Sequence, residues 1–159
     1  MGERSEALAE QLDRAVKDFA TTVESCSDKQ WSAICGDEGW TVAATAQHVA
    51  GQFPLEHEFI SAAAEARTMP AYTWDDINGM NDRRAGEHSS CTKADVLTLL
   101  HHGGSSMSAY IRALTDEQLD RTASLGLAGG ASVSAQQLIE GGVLIEHVTG
   151  HLASIRTAE

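Results

Sequence analysis

Apolar residues recur along most of this chain at steps of three and four, which is the period of an amphipathic α-helix. Polar and charged residues fill the positions between them, so each such segment has one face suited to a protein core. Pro54 interrupts the second segment and should kink it, because a proline cannot donate the hydrogen bond that a helix interior requires. Four long helices of this kind predict an all-α fold, a four-helix bundle. The four segments cover residues 4–25, 41–67, 92–114 and 134–156.

The connections between these helices are unequal in length. Residues 26–40 and 115–131 contain glycines that break the helical period, and we expect both to be mainly loops with a short helical turn in each. Residues 68–91 form a longer connection, with a short helix predicted from Thr73 to Arg84. Only this third connection is long enough to cross from one end of a bundle to the other.

Three histidines lie along the edges of the predicted apolar faces. His147 and His151 are four residues apart, so an α-helix places both rings on one side, one turn apart. His48 lies in the second helix, beside its apolar face. Neutral imidazoles in this arrangement can bind a divalent metal ion, although an isolated pair can equally be half-buried polar residues at the edge of a core.

A shared metal site would fix the order of the helices. If His48 meets the histidine pair, the start of the second helix must be level with the end of the fourth, and these two helices must be antiparallel. In an up-down-up-down bundle they would be parallel. The conflict disappears if the second and third helices are parallel and residues 68–91 cross over between them. The predicted fold is therefore an up-down-down-up bundle with a long crossover between helices 2 and 3.

Composition and charge limit the partners of this protein. The chain has 159 residues, which suits a single domain over residues 1–159, and its 23 acidic against 11 basic side chains give a formal net charge of −12. Such a surface repels nucleic acids and anionic membranes. No apolar run approaches the length of a membrane span and no signal sequence opens the chain, so we expect a cytoplasmic protein. The three cysteines, without a CxxC motif, do not suggest a disulfide framework.

Four stretches of the sequence together resemble the DinB-like metalloprotein superfamily: GWTVAATAQHVAG, INGMNDRR, TKADVLTLL and EHVTGHLASIR. The resemblance covers nearly the whole chain in the right order. It implies an up-down-down-up four-helix bundle, a homodimer, and metal ligands at His48, His147 and His151. The superfamily is similar to thiol-dependent transferases and to the metal-binding domain of mycothiol-dependent maleylpyruvate isomerase. A histidine, His147, stands where the isomerase type has a glutamate ligand.

Three neutral nitrogen ligands would leave open positions on a zinc- or nickel-like ion, which is typical of a catalytic site. Such an ion can lower the pKa of a bound thiol or water. Together with the resemblance, this predicts a metal-dependent enzyme that activates a low-molecular-weight thiol, such as mycothiol or bacillithiol, against a small electrophile. A hydrolase, isomerase or cyclase acting on a small molecule, or a non-catalytic binding module, would use the same ligands.

Four further side chains are candidates for roles around the metal. Glu140 lies on the helical face of the histidine pair and would hold a water or a substrate hydroxyl, unless it lines a solvated seam. Gln52, one turn after the first histidine, would orient that ring or the substrate. Arg83 and Arg84 would bind a substrate carboxylate, although charged residues on a crossover are usually surface residues.

The predicted helix order also predicts which loops cover the site. The loop over residues 26–40 would lie above the metal, and Trp31 within it is the candidate for an aromatic pocket wall. Trp40, just before the second helix, is expected to pack as a hydrophobic staple on that helix. The loop over residues 115–131 would lie at the far end of the bundle, where it should not touch the substrate.

Overall fold

The computed structural model describes residues 2–159, which are mostly helical. Hydroxyl side chains cap the three later helical segments: Thr41 accepts a hydrogen bond from the amide of Ala44, Thr92 from that of Asp95, and Ser134 from that of Gln137. Short helices lie between the long segments. The helices are α1 Glu3–Ser25, α2 Asp28–Trp31, α3 Val42–Gly51, α4 Phe53–Ala64, α5 Trp74–Glu87, α6 Lys93–Arg112, α7 Asp116–Asp120, α8 Ala135–Glu140 and α9 Ile145–Arg156.

The second long helix is broken rather than merely kinked. It is interrupted at Gln52, and Pro54 lies in the first turn of α4, where a missing N–H leaves no bond unmade. The helix ends at Ala64, earlier than predicted, and Ala66 adopts a left-handed conformation with φ of 54°.

The fourth long helix is also interrupted, where the sequence predicts one continuous helix. Gly141 leaves α8 with an extended backbone (φ −86°, ψ −158°), and α9 begins only at Ile145. The glycine pair at 141–142 disfavours helix by about 1 kcal/mol per residue relative to alanine, so little opposes the break. A β-carbon on Gly141 would lie 2.8 Å from the carbonyl oxygen of Gln137, which favours glycine there.

Residues expected to be loop between the third and fourth helices form a β-hairpin, so the fold is mostly rather than entirely helical. Strand β1, Thr122–Leu125, pairs antiparallel with β2, Ala131–Ser134. The turn contains Gly129 and Gly130 with φ of 67° and 84°, values that glycine adopts without strain. Strands of four residues are too short for their alternation to stand out in the sequence.

One hydrophobic core joins the long helices. The glycine pair of α6 allows close packing within it, because a β-carbon on Gly103 would clash with the ring of Phe53 and one on Gly104 would lie 3.1 Å from Val16. The largest fully buried side chains come from all four long segments and from α7: Phe19, Leu12, Ile60, Leu100, Ile111, Leu119, Ile139 and Leu144.

Contacts between helix ends show which ends are neighbours. The thiol of Cys91 donates to the carbonyl of Ala43 at 3.3 Å, so the chain entering α6 lies beside the start of α3. Arg112, in the last turn of α6, binds Glu6 at 3.0 Å and Asp13 at 2.7 Å, both on α1. In the described part of the chain, none of the helices has the length and hydropathy needed to cross a bilayer.

Candidate metal centre and its cavity

Three histidine rings from two helices converge at one point. His48 is on α3, whereas His147 and His151 lie one turn apart on α9. The Nε2 atoms of His48 and His147 are 2.8 Å apart, and one nitrogen from each ring lies within 4.8 Å of the other two. The ring centroids are 4.7–5.0 Å apart and the rings are nearly perpendicular. The structure therefore brings together the three residues whose spacing predicted a site.

A carboxylate lies behind each of the two α9 histidines. Oε1 of Glu56, on α4, is 2.8 Å from Nδ1 of His147. Oε1 of Glu38 is 2.7 Å from Nδ1 of His151. These contacts leave the Nε2 atoms of both rings for the centre of the cluster. A carboxylate on the outer nitrogen of a ligating histidine fixes the ring orientation and raises its basicity.

The loop that carries Glu38 is held by its own backbone and by the chain end. Cys35 donates to the carbonyl of Trp40 at 2.8 Å, and Gly39 turns the chain with φ of 72°. Ile34 and Glu159 exchange two backbone hydrogen bonds, of 3.0 and 3.3 Å. These bonds fix the loop against α9, so Glu38 faces His151.

Burial keeps the histidines in their neutral form. It lowers the pKa of His48 to about 3, helped by the neighbouring rings, and that of His147 to about 4. Burial also lowers the pKa of His151, against the opposing effect of Glu38. Neutral imidazole is the form that binds metal ions, so at neutral pH these rings need not lose a proton first.

Glu56 is a buried acid without a hydrogen-bond partner among the described residues. Its side chain is 5% exposed, and burial raises its pKa well above the usual value. The contact with His147 is short but too bent for a hydrogen bond, so both carboxylate oxygens and the ring Nδ1 are left unsatisfied. A cation among the rings would favour the ionised form of Glu56 and make it an acceptor for the Nδ1–H of His147.

This set of groups fits a divalent cation. Three imidazole nitrogens suit zinc and related ions, with bonds of about 2.0–2.1 Å and nitrogen separations of about 3.3 Å in a tetrahedral arrangement. The observed separations, 2.8 Å and up to 4.8 Å, bracket that value. Two glutamates would balance the charge of such an ion. The structure and the comparisons below support a divalent metal site without identifying the metal.

A cavity of about 530 Å³ opens from the histidines. One face of α5, from Trp74 to Asp82, forms a wall of this cavity. The indole of Trp40 packs edge-on against His48, with centroids 5.4 Å apart, and its Nε1 donates to Asp82 at 3.2 Å. The cavity is lined by Trp40, Leu55, Phe59, Trp74, Ile77, Asn78, Asn81, Asp82, Leu127 and Val143, beside the histidines, Gln52 and the two glutamates.

The predicted site residues are placed unequally around this cavity. Gln52 is buried and lines it. Glu140 is exposed, accepts a hydrogen bond from Gln136 at 2.8 Å, and does not line it, because the break after α8 changes the helical phase. Arg84 lies 3.5 Å from Gln52 and lines an adjoining cavity of about 260 Å³, which shares His48 and Gln52 with the first, while Arg83 is exposed.

The aromatic residues differ most from expectation. The indole of Trp31 donates to the carbonyl of Cys91 at 2.8 Å and lies outside the cavity. Trp40, expected only to staple α3, forms a cavity wall. The loop over residues 115–131 also reaches the cavity, because Trp74 Nε1 donates to the carbonyl of Leu127 at 2.8 Å. The prediction that this loop stays away from the site is wrong, since Leu127 lines the cavity.

Sequence reasoning missed both glutamates and the α5 face. Glu38 lies in a loop, and Glu56 lies beyond the break at Gln52, so no helical spacing relates either to the histidines. A signal did exist on α5, because Trp74, Ile77 and Asn81 follow a helical period and mix apolar with carboxamide side chains.

Comparison with known proteins gives one family match. The sequence profile of the mycothiol maleylpyruvate isomerase N-terminal domain matches residues 12–140. No curated protein matches the chain.

Several solved structures have the same fold. YfiT from Bacillus subtilis, described as a probable metal-dependent hydrolase with an unusual four-helix bundle topology, superposes with a TM-score of 0.75 at 19% identity, over 98% of this chain and 86% of YfiT. A Streptococcus pneumoniae protein has a TM-score of 0.75 at 13% identity, over 98% and 90% of the two chains. A mutant of mycothiol-dependent maleylpyruvate isomerase has a TM-score of 0.73 at 13% identity, over 98% of this chain and 61% of that one.

Proposed function

This chain belongs to the mycothiol maleylpyruvate isomerase N-terminal domain family, within the DinB-like superfamily, and from this we propose that it is a metal-dependent enzyme acting on a small molecule. The proposed metal ligands are Nε2 of His48, His147 and His151. The observation that carries the proposal is the convergence of three neutral imidazoles, two of them backed by glutamates, at the wall of a cavity.

The reaction that we propose is transfer of a low-molecular-weight thiol to a small electrophile. A zinc or nickel ion held by the three rings would supply Lewis acidity that favours thiolate at neutral pH. The family match supports the thiol, because its description names mycothiol. The protein's own cysteines do not line the cavity, so the thiol would come from a cosubstrate.

The residues around the metal would each have a part in this reaction. Glu38 and Glu56 would hold the rings of His151 and His147 in place. Gln52 would offer a carboxamide donor and acceptor to the substrate. Trp40 would cover the ring of His48 and exclude water from that side of the site.

A metal-dependent hydrolase is the second candidate. YfiT, which shares the fold, is described as a probable hydrolase of this kind, and three imidazole ligands suit activation of water as well as of a thiol. Isomerisation is a third reaction of the same centre.

We also propose the up-down-down-up order for the helices. The contact of Cys91 with Ala43 supports parallel α3 and α6, and the meeting of His48 with the α9 histidines supports antiparallel α3 and α9. The connection between them, residues 65–92, includes α5 and is long enough for a crossover.

Metal analysis of untagged protein, followed by a thiol assay, tests the function. We expect about one equivalent of divalent metal in the purified protein and none in His48→Ala, whereas His101→Ala, which changes an exposed histidine, should keep it. Metal-dependent loss of free thiol with a generic electrophile supports the transferase. Metal-dependent ester or amide cleavage without thiol loss would support the hydrolase, and a metal-free native protein would contradict both.

A homodimer is proposed from the resemblance to the superfamily. Light scattering at micromolar concentration, at low and moderate salt, should give twice the chain mass, and a strict monomer would contradict this proposal.

A further inference from the structure

The charges around the cavity point to the class of electrophile. Among the described residues, no lysine or arginine lines it. Its ionisable lining consists of the three histidines, which are the proposed metal ligands, and three acids, Glu38, Glu56 and Asp82. Glu38 and Glu56 face the rings and would balance a divalent ion. Asp82 then adds a negative charge, in a chain whose formal net charge is −12.

An anionic substrate would find no counter-charge on these walls. Removing a carboxylate from water costs several kcal/mol unless a cation or several donors replace its hydration. Arg84 lines a second cavity on the far side of His48 and Gln52, two residues that line both cavities, and its guanidinium lies 3.5 Å from Gln52. Arg83 is exposed and lines neither cavity.

The remaining lining suits an uncharged molecule with an apolar part. Trp40, Phe59, Trp74, Ile77, Leu127 and Val143 give the cavity extended apolar walls. Asn78 and Asn81 add carboxamides, each of which both donates and accepts hydrogen bonds, on one face of α5. Such groups are satisfied by amide, carbonyl or hydroxyl groups without net charge.

We propose that the electrophile of this site is an uncharged, partly apolar molecule, such as an aromatic or alkyl compound with a carbonyl or amide group, rather than a carboxylate. This inference rests on the proposed function, because it takes the cavity beside the histidines as the substrate site. In the proposed reaction the sulfur forms a bond to an electrophilic carbon. When that carbon belongs to an activated double bond, the thiol proton ends on the neighbouring carbon and nothing leaves.

Benzamide and benzoate are a matched pair of probes, since they share a ring and differ in charge. Titrations followed by amide NMR, with zinc-loaded and with metal-free protein, would give both dissociation constants. Trp40 and Trp74 line the cavity, so their indole Nε1 signals report binding there. Trp31 lies outside the cavity, and its signal serves as a control. We expect benzamide to bind at least about tenfold more tightly than benzoate, in line with the cost of an unpaired buried charge.

Two variants of α5 test the role of charge. Asn81→Arg places a cation in the wall and should improve benzoate binding relative to benzamide by about tenfold or more. Gly79→Arg adds the same charge on the same helix at a position where a β-carbon meets open space and which does not line the cavity, so it should leave the ratio unchanged. A ratio that shifts equally in both variants would overturn the assignment of the binding wall.

The remaining outcomes separate this inference from the proposed function. Tighter binding of benzoate, in either form of the protein, would overturn the inference while leaving metal-dependent thiol transfer intact. If that preference were lost in Arg84→Gln, the carboxylate would be bound through the arginine predicted from the sequence. Failure to bind zinc would instead contradict the proposed function, and the metal-free titration would still decide the charge preference of the cavity.

Discussion

Glu56 is the residue whose role is easiest to isolate, because its carboxylate lies beside a proposed ligand and has no hydrogen-bond partner among the described residues. Glu56→Gln keeps the shape of the side chain but removes the carboxylate behind His147. Loss of such a partner typically costs 10- to 100-fold in metal affinity, so we expect a fall of that size in zinc affinity, measured by competition with a chromogenic chelator. Glu58→Gln, an exposed neighbour on the same helix, is the matched control. Equal affinities in the two variants would exclude a role for Glu56 in the metal site.

The tryptophans on either side of the α2–α3 connection should behave differently. Trp40→Ala removes a cavity wall and should weaken binding of an apolar ligand such as benzamide several-fold, with zinc content unchanged. Trp31→Ala removes a hydrogen bond to Cys91 and buried surface instead, so it should lower the melting temperature without changing ligand affinity. The reverse pattern in thermal melts and ligand titrations would restore Trp31 as the pocket residue that the sequence predicted.

At the residue level, sequence was informative only where spacing is regular. The i, i+4 pair His147 and His151 can be read directly from helical geometry, and His48 follows from asking which fold could bring a third ring to it. Glu38 and Glu56 could not be found this way, because their positions depend on a glycine turn and on a broken helix.

Among the helices, the packing of α6 gives the clearest test. Gly103→Ala would place a β-carbon against the ring of Phe53, and overpacking of this kind costs about 1–3 kcal/mol. Gly79→Ala, on the exposed side of α5, should instead stabilise the protein by up to about 1 kcal/mol, because alanine favours helix and its β-carbon meets no neighbour. Urea unfolding of both variants measures the difference. A stabilising Gly103→Ala would mean that the two helices are not in close contact there.

The sequence predicts how many long helical segments the chain has better than it predicts whether each one is continuous. Apolar period and capping residues indicate the four long helical segments, because both act within a few residues of the chain. Pro54 and the glycine pair at 141–142 mark where the second and fourth segments are interrupted, but the helical period alone runs through both positions. The β-hairpin was missed because its strands are short and are stabilised by pairing with each other and by contacts with α4.

For the whole molecule, the buried ionisable groups predict how stability depends on pH when metal is removed. The folded protein keeps His48, His147 and His151 neutral, whereas the unfolded chain protonates them as the pH falls below about 6.5. Their contribution to the free energy of unfolding is therefore lost on acidification. Glu56 acts in the opposite direction, because its raised pKa lets the folded state hold a proton that the unfolded chain releases.

The three histidines together outweigh Glu56, so the metal-free protein should lose stability on acidification. Each fully displaced group contributes about 1.4 kcal/mol per pH unit, so urea unfolding in the presence of a chelator should show a fall of about 1–2 kcal/mol between about pH 7.5 and 5.5. The fall should be larger in Glu56→Gln, which lacks the opposing group, and smaller in His48→Gln. A chelated protein that is more stable at the lower pH would show that the rings are protonated in the fold.

The backbone pairing of Ile34 with Glu159 connects the metal ligands to a part of the molecule that contains none of them. Glu38 stands four residues beyond Ile34 in the same loop, and its carboxylate holds the ring of His151. Any opening that separates Ile34 from Glu159 frees this loop, so it must also weaken the hold on the ion. Because such coupling is reciprocal, ion binding must suppress that opening. Amide hydrogen exchange at Ile34 should therefore slow on metal binding, and this backbone position would report occupancy of the site from a distance.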